Sequence, residues 1–369
     1  ALMTTISCQL SAVSCQRKPS LMWLMAESCM LMAITGCATP KPMMAIRVPI
    51  VDLRAQPHTT AVVGTHDPLQ ETQLLYGERV QIVKVEEGWA SVEAVEQPEF
   101  THARRWQGYP GWVPAEALRS WEPLRSPTIV VTDLWAPTFT NAFTRIPAPW
   151  RFPLGTRLRA VEMGGTLWKV ELVDGTTVWM PRESARSVEE LAALPPLEQR
   201  RTIVRHAERF LGAPYFWGGR SPVRDGPGSQ VTGVAPPPVS KPEAGPGGAG
   251  IAFGNPLPGG GVDCSGLVNL AFRAAGIDIP RDAHEQFLRA RRINALQPAD
   301  LIFLSERSNP DHIVHVMLYA GDGEVIEGPG TGQPVRRIAI TKRLGQSLDW
   351  LAPGAVVDGQ TVSFGSYIP

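Results

Sequence analysis

One pattern of short β-strands occurs twice in the N-terminal half of this sequence. Between about residues 45 and 120, short alternating apolar runs lie between turn residues, as in "ERVQIVKVEEGWASVEAV", and such alternation is typical of half-buried strands. Residues 155–181 repeat the pattern, and in both copies a strand centred on a tryptophan (Trp89, Trp168) precedes "GWVP" or "VWMP". The repeat restricts this half of the chain to two small all-β units, with both tryptophans expected in the cores.

The repeated pattern resembles tandem bacterial SH3-like barrels. The first barrel is expected over 45–122 and the second over 125–187. The resemblance implies modules of a kind that in other proteins dock on cell-wall peptides.

The apolar period becomes helical near residue 195. Ile203, Ala207 and Phe210 recur at helical spacing. Farther on, "CSGLVNLAFRAAG" has the apolar density of a buried helix that ends at Gly276, and "ADLIFLSE", "VHVMLYAG" and "EVIEGPG" follow as three consecutive strands. A helix followed by an antiparallel sheet indicates an α+β domain over 195–369.

A Pro/Gly-rich insertion interrupts this domain at about residues 220–261. Its few large apolar side chains cannot bury enough surface to hold a fixed shape. We expect it to bulge into solvent, and the alternative is a lid, since its ends flank Cys264.

Composition argues against a nucleic-acid partner, and the motifs give no sign of a metal or other cofactor. Lys plus Arg and Asp plus Glu are both 35, so the chain lacks the cationic excess typical of nucleic-acid binding. Neither an HExxH motif nor a CxxC pair is present, so no metal or other cofactor is implied.

Four of the five cysteines lie within the first 37 residues, and the fifth is Cys264. Residues 1–36 combine two basic residues with a mostly apolar run that ends in "ITGC", which resembles a bacterial lipoprotein signal. Cys37 would then carry the lipid and anchor the chain to a membrane. The alternative is an N-terminal extension that is never cleaved.

Cys264 stands where a helix is expected to begin. A helix N-terminus favours a thiolate, which is the nucleophilic form of cysteine. A strand over "VHVMLYAG" offers His315 as the base, and Glu327 on the next strand is the nearest group that could orient the imidazole. On chemistry alone the alternative is a buried, inert thiol, and Asp311 and His312 are weaker substitutes for the base.

Five motifs, "APYFWGG", "VDCSGLV", "PRDAHEQF", "PADLIFL" and "HVMLYAGDGEVIEG", occur in the order found in the NlpC/p60 family of papain-like cysteine peptidases. The resemblance covers about residues 195–345 and implies Cys264 as nucleophile and His315 as base. The family's third catalytic residue is usually His, sometimes Asn or Gln, and Glu327 stands there in this chain. The expected fold is therefore two SH3-like barrels followed by an α+β papain-like peptidase domain.

With its two β-units, the chain is similar to γ-D-glutamyl-L-diamino acid endopeptidases, which trim peptidoglycan stem peptides. In those enzymes a pocket binds the free amino group of the substrate's L-Ala. The matching residues here are Asp263, Ser265, Asp282 and Tyr109. The resemblance implies a preference for peptides with a free N-terminus, and the alternative role for Asp263 is only to cap the helix.

Two rival functions remain open at this point. One is a wall-binding protein that has lost catalysis, suggested by Glu327 and the insertion, and the other is an amidase or acyltransferase on the same fold. We expect a monomer of the cell envelope that acts on stem peptides.

Overall fold

The computed structural model describes residues 42–58, 67–121, 126–223, 260–348 and 350–369. The predicted signal segment with Cys37 lies outside the described residues, and so does the insertion apart from its two ends. The questions of lipidation and of a lid therefore fall outside the described part of the chain.

The first β-unit is a sheet of seven strands in the order β3-β2-β6-β5-β4-β1-β7. Its core contains Leu53, Leu74 and Val92. Its strands are β1 (Met43–Ile46), β2 (Ile50–Arg54), β3 (Gln70–Leu75), β4 (Arg79–Glu86), β5 (Trp89–Glu99), β6 (Gln107–Pro114) and β7 (Leu118–Ser120).

The second β-unit has the same strand order, β10-β9-β13-β12-β11-β8-β14. In both units a one-turn 3-10 helix precedes the last strand, Ala115–Ala117 in the first and Arg182–Ser184 in the second. The internal repeat is thus confirmed at the level of topology. The strands are β8 (Ile129–Val131), β9 (Trp135–Phe139), β10 (Pro147–Pro153), β11 (Arg157–Gly164), β12 (Leu167–Glu171), β13 (Thr177–Pro181) and β14 (Ala185–Ser187).

The two tryptophans that suggested the repeat are not equivalent. Trp89 pairs with Pro114, whereas Trp168 pairs with Met180, so the two side chains are offset by one position. Because successive strand residues face opposite sides, Trp168 is buried in the second core and Trp89 is only half-buried. The prediction of two core tryptophans is correct for Trp168 and wrong for Trp89.

The C-terminal domain packs helices against a third sheet, in the order β17-β23-β18-β19-β20-β21, with β22 paired to β23. The three strands predicted from the sequence are present as the consecutive antiparallel strands β18, β19 and β20. The helices are α1 (Val188–Ala192), α2 (Pro196–Glu208), α3 (Cys264–Ala274), α4 (Ala283–Arg289) and α5 (Ile340–Leu344). The strands are β15 (Arg220–Ser221), β16 (Gly261–Val262), β17 (Arg291–Arg292), β18 (Leu301–Ser305), β19 (Ile313–Gly321), β20 (Glu324–Glu327), β21 (Arg336–Ala339), β22 (Val356–Val357) and β23 (Gln360–Ser366).

Helix α3 carries the cysteine, and local chemistry explains both of its ends. The Asp263 carboxylate accepts a hydrogen bond from the Gly266 N–H at 2.6 Å, which caps the N-terminus. A Cβ on Gly266 would clash with the carbonyl oxygen of Gly219, so this turn requires glycine. Gly276, with φ +83°, ends the helix as predicted.

The described helices include none that is both long and apolar enough to cross a lipid bilayer.

Candidate active site

Cys264 is the first residue of α3, and its thiol is in no disulfide. The side chain is largely buried, with 9% exposure. It forms a hydrogen bond with His315 of β19. The structure therefore brings together the predicted nucleophile and the predicted base, although the two residues are 51 positions apart in the sequence.

His315 also contacts the third predicted residue. Its Nε2 lies 2.8 Å from Oε2 of Glu327 on the neighbouring strand β20. Burial acts to lower the pKa of His315, but the hydrogen bonds and charges of Cys264 and Glu327 outweigh it and raise the pKa to about 9. The imidazole is consequently held in its protonated form at neutral pH, with one nitrogen directed to the carboxylate.

Glu327 is fully buried and has two cationic partners that the sequence did not point to. Arg336, directly opposite it on β21, donates to Oε1 from Nε at 3.0 Å and from Nη2 at 2.7 Å. Arg343 of α5 donates from Nε to both carboxylate oxygens at 2.9 Å. Burial acts to raise the pKa of Glu327, but His315 and the two guanidinium groups lower it to about 2.

Asp263 and Ser265, predicted to receive a substrate ammonium group, are occupied by Arg281 instead. Nη2 of Arg281 lies 2.7 Å from Oδ2 of Asp263, and Nη1 donates to Oγ of Ser265 at 2.9 Å. The guanidinium is fully buried, and its Nε donates to Thr72 of the first β-unit at 2.7 Å. A cation beside the nucleophile's neighbouring carboxylate is thus part of the chain, and Asp263 both caps α3 and pairs with Arg281.

Asp282 and Tyr109, the other two predicted binding residues, do meet. The Tyr109 hydroxyl donates to Oδ2 of Asp282 at 2.9 Å, across the junction between the first β-unit and the C-terminal domain. Asp282 is the N-cap residue of α4 but makes no capping hydrogen bond with its side chain, and Arg281 approaches it only to 3.6 Å. Packing at this junction raises the pKa of Asp282 above its usual range.

Glu71 of β3 completes this acidic group and was missed by sequence reasoning. Its Oε2 lies 3.4 Å from the Tyr109 hydroxyl and 3.9 Å from Nε2 of His102. Because Asp263 neutralises Arg281, the group formed by Asp282, Glu71 and Tyr109 keeps negative charge, which suits a small cation. The one earlier signal was Tyr109 itself, in "GYPGWVP".

Tyr215 lies close enough to Cys264 and Asp263 to be affected by their charges. It is buried, and burial together with the charges of Cys264 and Asp263 raises its pKa far above neutrality. Its phenol therefore remains a neutral hydrogen-bond donor at the pH of any ordinary reaction. His312, one of the weaker candidates for the base, forms a ring pair with His284 at 4.9 Å, and His284 Nδ1 accepts a hydrogen bond from the Ile313 N–H at 3.3 Å.

A thiol at a helix N-terminus, an imidazole on the adjoining strand and a buried carboxylate behind the imidazole define the class of cysteine hydrolases. Residues 212–349 match the model of the NlpC/P60 family. The C-terminal domain belongs to the NlpC/P60 family, as its motifs indicated.

Sequence similarity to named bacterial peptidases extends over more of the chain than the family match to residues 212–349. The chain is 27% identical over 283 residues to the gamma-D-glutamyl-L-lysine dipeptidyl-peptidase of Bacillus subtilis, an alignment that covers 75% of this chain and 78% of that protein. It is 31% identical over 169 residues to the peptidoglycan endopeptidase RipB of Mycobacterium tuberculosis, covering 44% and 54% of the two chains.

Among solved structures, the crystal structure of an NlpC/P60 family protein from Bacillus cereus resembles this fold with a TM-score of 0.63 at 22% identity. The match covers 89% of this chain and all of the other. The likeness therefore extends over the β-units as well as the C-terminal domain.

Proposed function

We propose that this protein is a cysteine endopeptidase that hydrolyses peptidoglycan stem peptides at the bond between γ-D-Glu and a diamino acid. The observation that carries the proposal is the line of contacts from Cys264 through His315 to Glu327. The B. subtilis relative, named for γ-D-glutamyl-L-lysine peptides, supports the choice of bond.

The first half of the reaction would form an acyl-enzyme. The Cys264 sulfur, deprotonated by His315, attacks the γ-carbonyl carbon of D-Glu, and the C–N bond breaks as His315 returns the proton to the leaving amine. The backbone N–H of Cys264 at the start of α3 and the neutral phenol of Tyr215 are the proposed donors to the oxyanion.

The second half would release the product. A water molecule gives a proton to His315 and attacks the thioester carbon, and the C–S bond breaks to leave a carboxylic acid and the free thiol. Glu327 accepts a hydrogen bond from the imidazole throughout, which fixes the ring with one nitrogen toward the reacting atoms.

The acidic group at the junction supports a preference for peptides with a free N-terminal L-Ala. Asp282, Glu71 and the Tyr109 oxygen would bind the ammonium group, while Asp263 and Ser265 hold Arg281 behind them. A peptide still joined to muramic acid lacks that charge and would leave the partly exposed carboxylates of Asp282 and Glu71 without this ion pair, which weakens its binding.

The test uses two substrates and one variant. We expect the purified protein to release the dipeptide L-Ala-D-Glu from L-Ala-γ-D-Glu-diamino acid, and to cleave the N-acetylmuramoyl form at least about tenfold more slowly. Cys264→Ala is expected to abolish release while its unfolding temperature stays near that of the wild type. Turnover by the Cys264→Ala variant would rule out the cysteine mechanism, and equal cleavage of both substrates would rule out the ammonium pocket.

We also propose a cell-envelope location with a lipid on Cys37, and SH3-like folds for the two β-units. The location follows from the substrate class, and the lipid from the "ITGC" motif. Expressed in a bacterium, the full chain should partition with membranes and the Cys37→Ala variant should not. Equal partitioning of the two would remove the lipid from the proposal and leave the peptidase proposal intact.

A further inference from the structure

Glu327 carries more cationic contacts than orienting one imidazole requires. Its two oxygens receive hydrogen bonds from Arg336 and Arg343 in addition to the 2.8 Å contact with His315. The carboxylate is fully buried, while the side chains of Arg336 and Arg343 are 36% and 23% exposed. The charge behind the imidazole is therefore one carboxylate against two guanidinium groups.

The two neighbouring guanidinium groups change how strongly Glu327 stabilises a protonated His315. A lone buried carboxylate would hold the imidazolium strongly and weaken His315 as a proton donor to the leaving amine. Two guanidinium groups in contact with the carboxylate repel a positive charge on the ring and offset that attraction, while leaving the hydrogen-bond acceptor in place. Glu327 then resembles a neutral orienting group more closely than an isolated anion.

We propose that Arg336 and Arg343 are positioning residues that hold Glu327 in place and offset its charge, so that it orients His315 without over-stabilising the imidazolium. This inference rests on the proposed function, since it assigns His315 and Glu327 to the same site. In the described part of the chain, the hydrogen bonds of the two arginines run to Glu327 and, for Arg336, also to Gln333.

The other groups around His315 are few in the described part of the chain. Cys264 reaches it from α3 and Glu327 from β20. From α4, His284 contacts the start of the same strand through the Ile313 N–H, and burial lowers its pKa. On the β18 side the paired residue is Leu304, which is apolar. Changes at the two arginines should therefore reach the imidazole through Glu327.

The decisive measurement is the pKa of the His315 ring by nitrogen-15 NMR in the Cys264→Ala background, where no turnover is needed. Removing a guanidinium removes a positive charge close to the ring, so Arg343→Gln should raise the His315 pKa by about one unit. Arg336→Gln, at the more exposed position, should raise it by less and provides a second variant with little risk to folding. Arg343→Lys retains the charge and should leave the pKa close to that of the parent.

Arg337 provides a matched control. It lies next to Arg336 on the same strand, but its partners are Glu324 and Glu208, both at 2.6 Å. Arg337→Gln should leave the pKa of His315 unchanged. A second control is Glu327→Gln, which should lower the His315 pKa, because the carboxylate that raises it is lost.

The outcomes separate the inference from the function. An unchanged or lowered His315 pKa in Arg343→Gln and Arg336→Gln would overturn the inference, since a role in folding alone predicts loss of the carboxylate contact and a fall. In enzyme with Cys264 intact, the limb of the kcat/KM profile that reports His315 should move to higher pH in the same variants. Absence of peptidase activity in the wild type would remove the proposed function, and the NMR result would still decide what the arginines do to the ring.

Discussion

The two β-units have the same strand order but differ in one hairpin. In the first unit, the ladder between β5 and β6 continues beyond the pair Ala94 and Tyr109, as far as Glu99 and Gln107. In the second unit, the corresponding hairpin closes at Leu172, whose N–H donates to the Thr176 carbonyl at 2.8 Å. Residues 95–108 of the first unit thus replace the short turn 173–175 of the second.

The longer hairpin adds contacts between the first unit and the C-terminal domain near the active site. Its Glu96 pairs with Arg273 of α3 at 2.8 Å, and the Thr101 N–H and hydroxyl both donate to Glu285 of α4. Tyr109 stands at the base of this extension, where it reaches Asp282. Two copies of one topology therefore make different contacts, and among the described residues the first copy contributes Tyr109 and Glu71 to the proposed pocket.

The largest difference between the two β-units is expected when the carboxylate of Asp282, which Tyr109 of the first unit contacts, loses its charge. Asp282→Asn should raise KM for the free tripeptide by about a hundredfold, because its ion pair with the substrate ammonium at this partly exposed junction is lost. The change in kcat should be smaller, since Asp282 does not contact Cys264. Asp174→Asn, in the turn of the second unit, is the matched control and should leave KM unaltered. Equal KM values for Asp282→Asn and the wild type would contradict the pocket.

Acidity should weaken the same interaction reversibly. Because the pKa of Asp282 is raised, its carboxylate is protonated as pH falls below neutrality, while the substrate amine stays charged. KM for the free tripeptide should therefore rise on acidification, by about tenfold per unit once the pH is below that pKa. The rise should be absent in Asp282→Asn, and a flat wild-type profile between pH 7 and pH 5 would argue against this titration.

The hydroxyl of Tyr109 can be tested by itself, because Tyr109→Phe removes only that oxygen atom. Tyr109→Phe removes the hydroxyl that lies between Asp282 and Glu71 and should raise KM for the free tripeptide by about five- to tenfold, the value of one hydrogen bond to a charged group. Thr176, the corresponding position in the second unit, offers the control Thr176→Val, for which no change in KM is expected. A similar effect of both substitutions would show that the units do not differ in the way proposed.

The smallest effect concerns docking of the hairpin. Thr101→Val removes the hydroxyl contact with Glu285 and should lower the free energy of unfolding by about 1 kcal/mol, seen as a fall of about 2–4 °C in Tm. Thr177→Val on the exposed face of the second hairpin should stay within about 0.5 kcal/mol of the wild type. A larger loss from Thr177→Val than from Thr101→Val would break the comparison.

The local features of this chain were readable from its sequence. Strand alternation predicted β18, β19 and β20, and the apolar run after Cys264 predicted α3 with its end at Gly276. These predictions succeed because periodicity, capping and turn residues act within a few positions. The pairing of Cys264 with His315 was offered as a candidate by the residues and implied by the motifs shared with the NlpC/p60 family.

The partners of the charged residues were decided by tertiary structure. Asp263 and Ser265 were expected to receive a substrate ammonium group and also contact Arg281, and Glu327 was expected to orient His315 and also accepts hydrogen bonds from Arg336 and Arg343. Arginine reaches far from its backbone and pairs with whichever carboxylate the fold brings near, so sequence spacing does not specify its partner.

The sequence by itself determined the duplicated β-unit, the helix that presents Cys264 and the sheet that presents His315, because each follows from patterns within one segment. Only the tertiary structure decided that Tyr109 meets Asp282 and that Thr72 meets Arg281, across 173 and 209 positions of sequence. Such contacts depend on how the first β-unit docks on the C-terminal domain, and no local period encodes that docking.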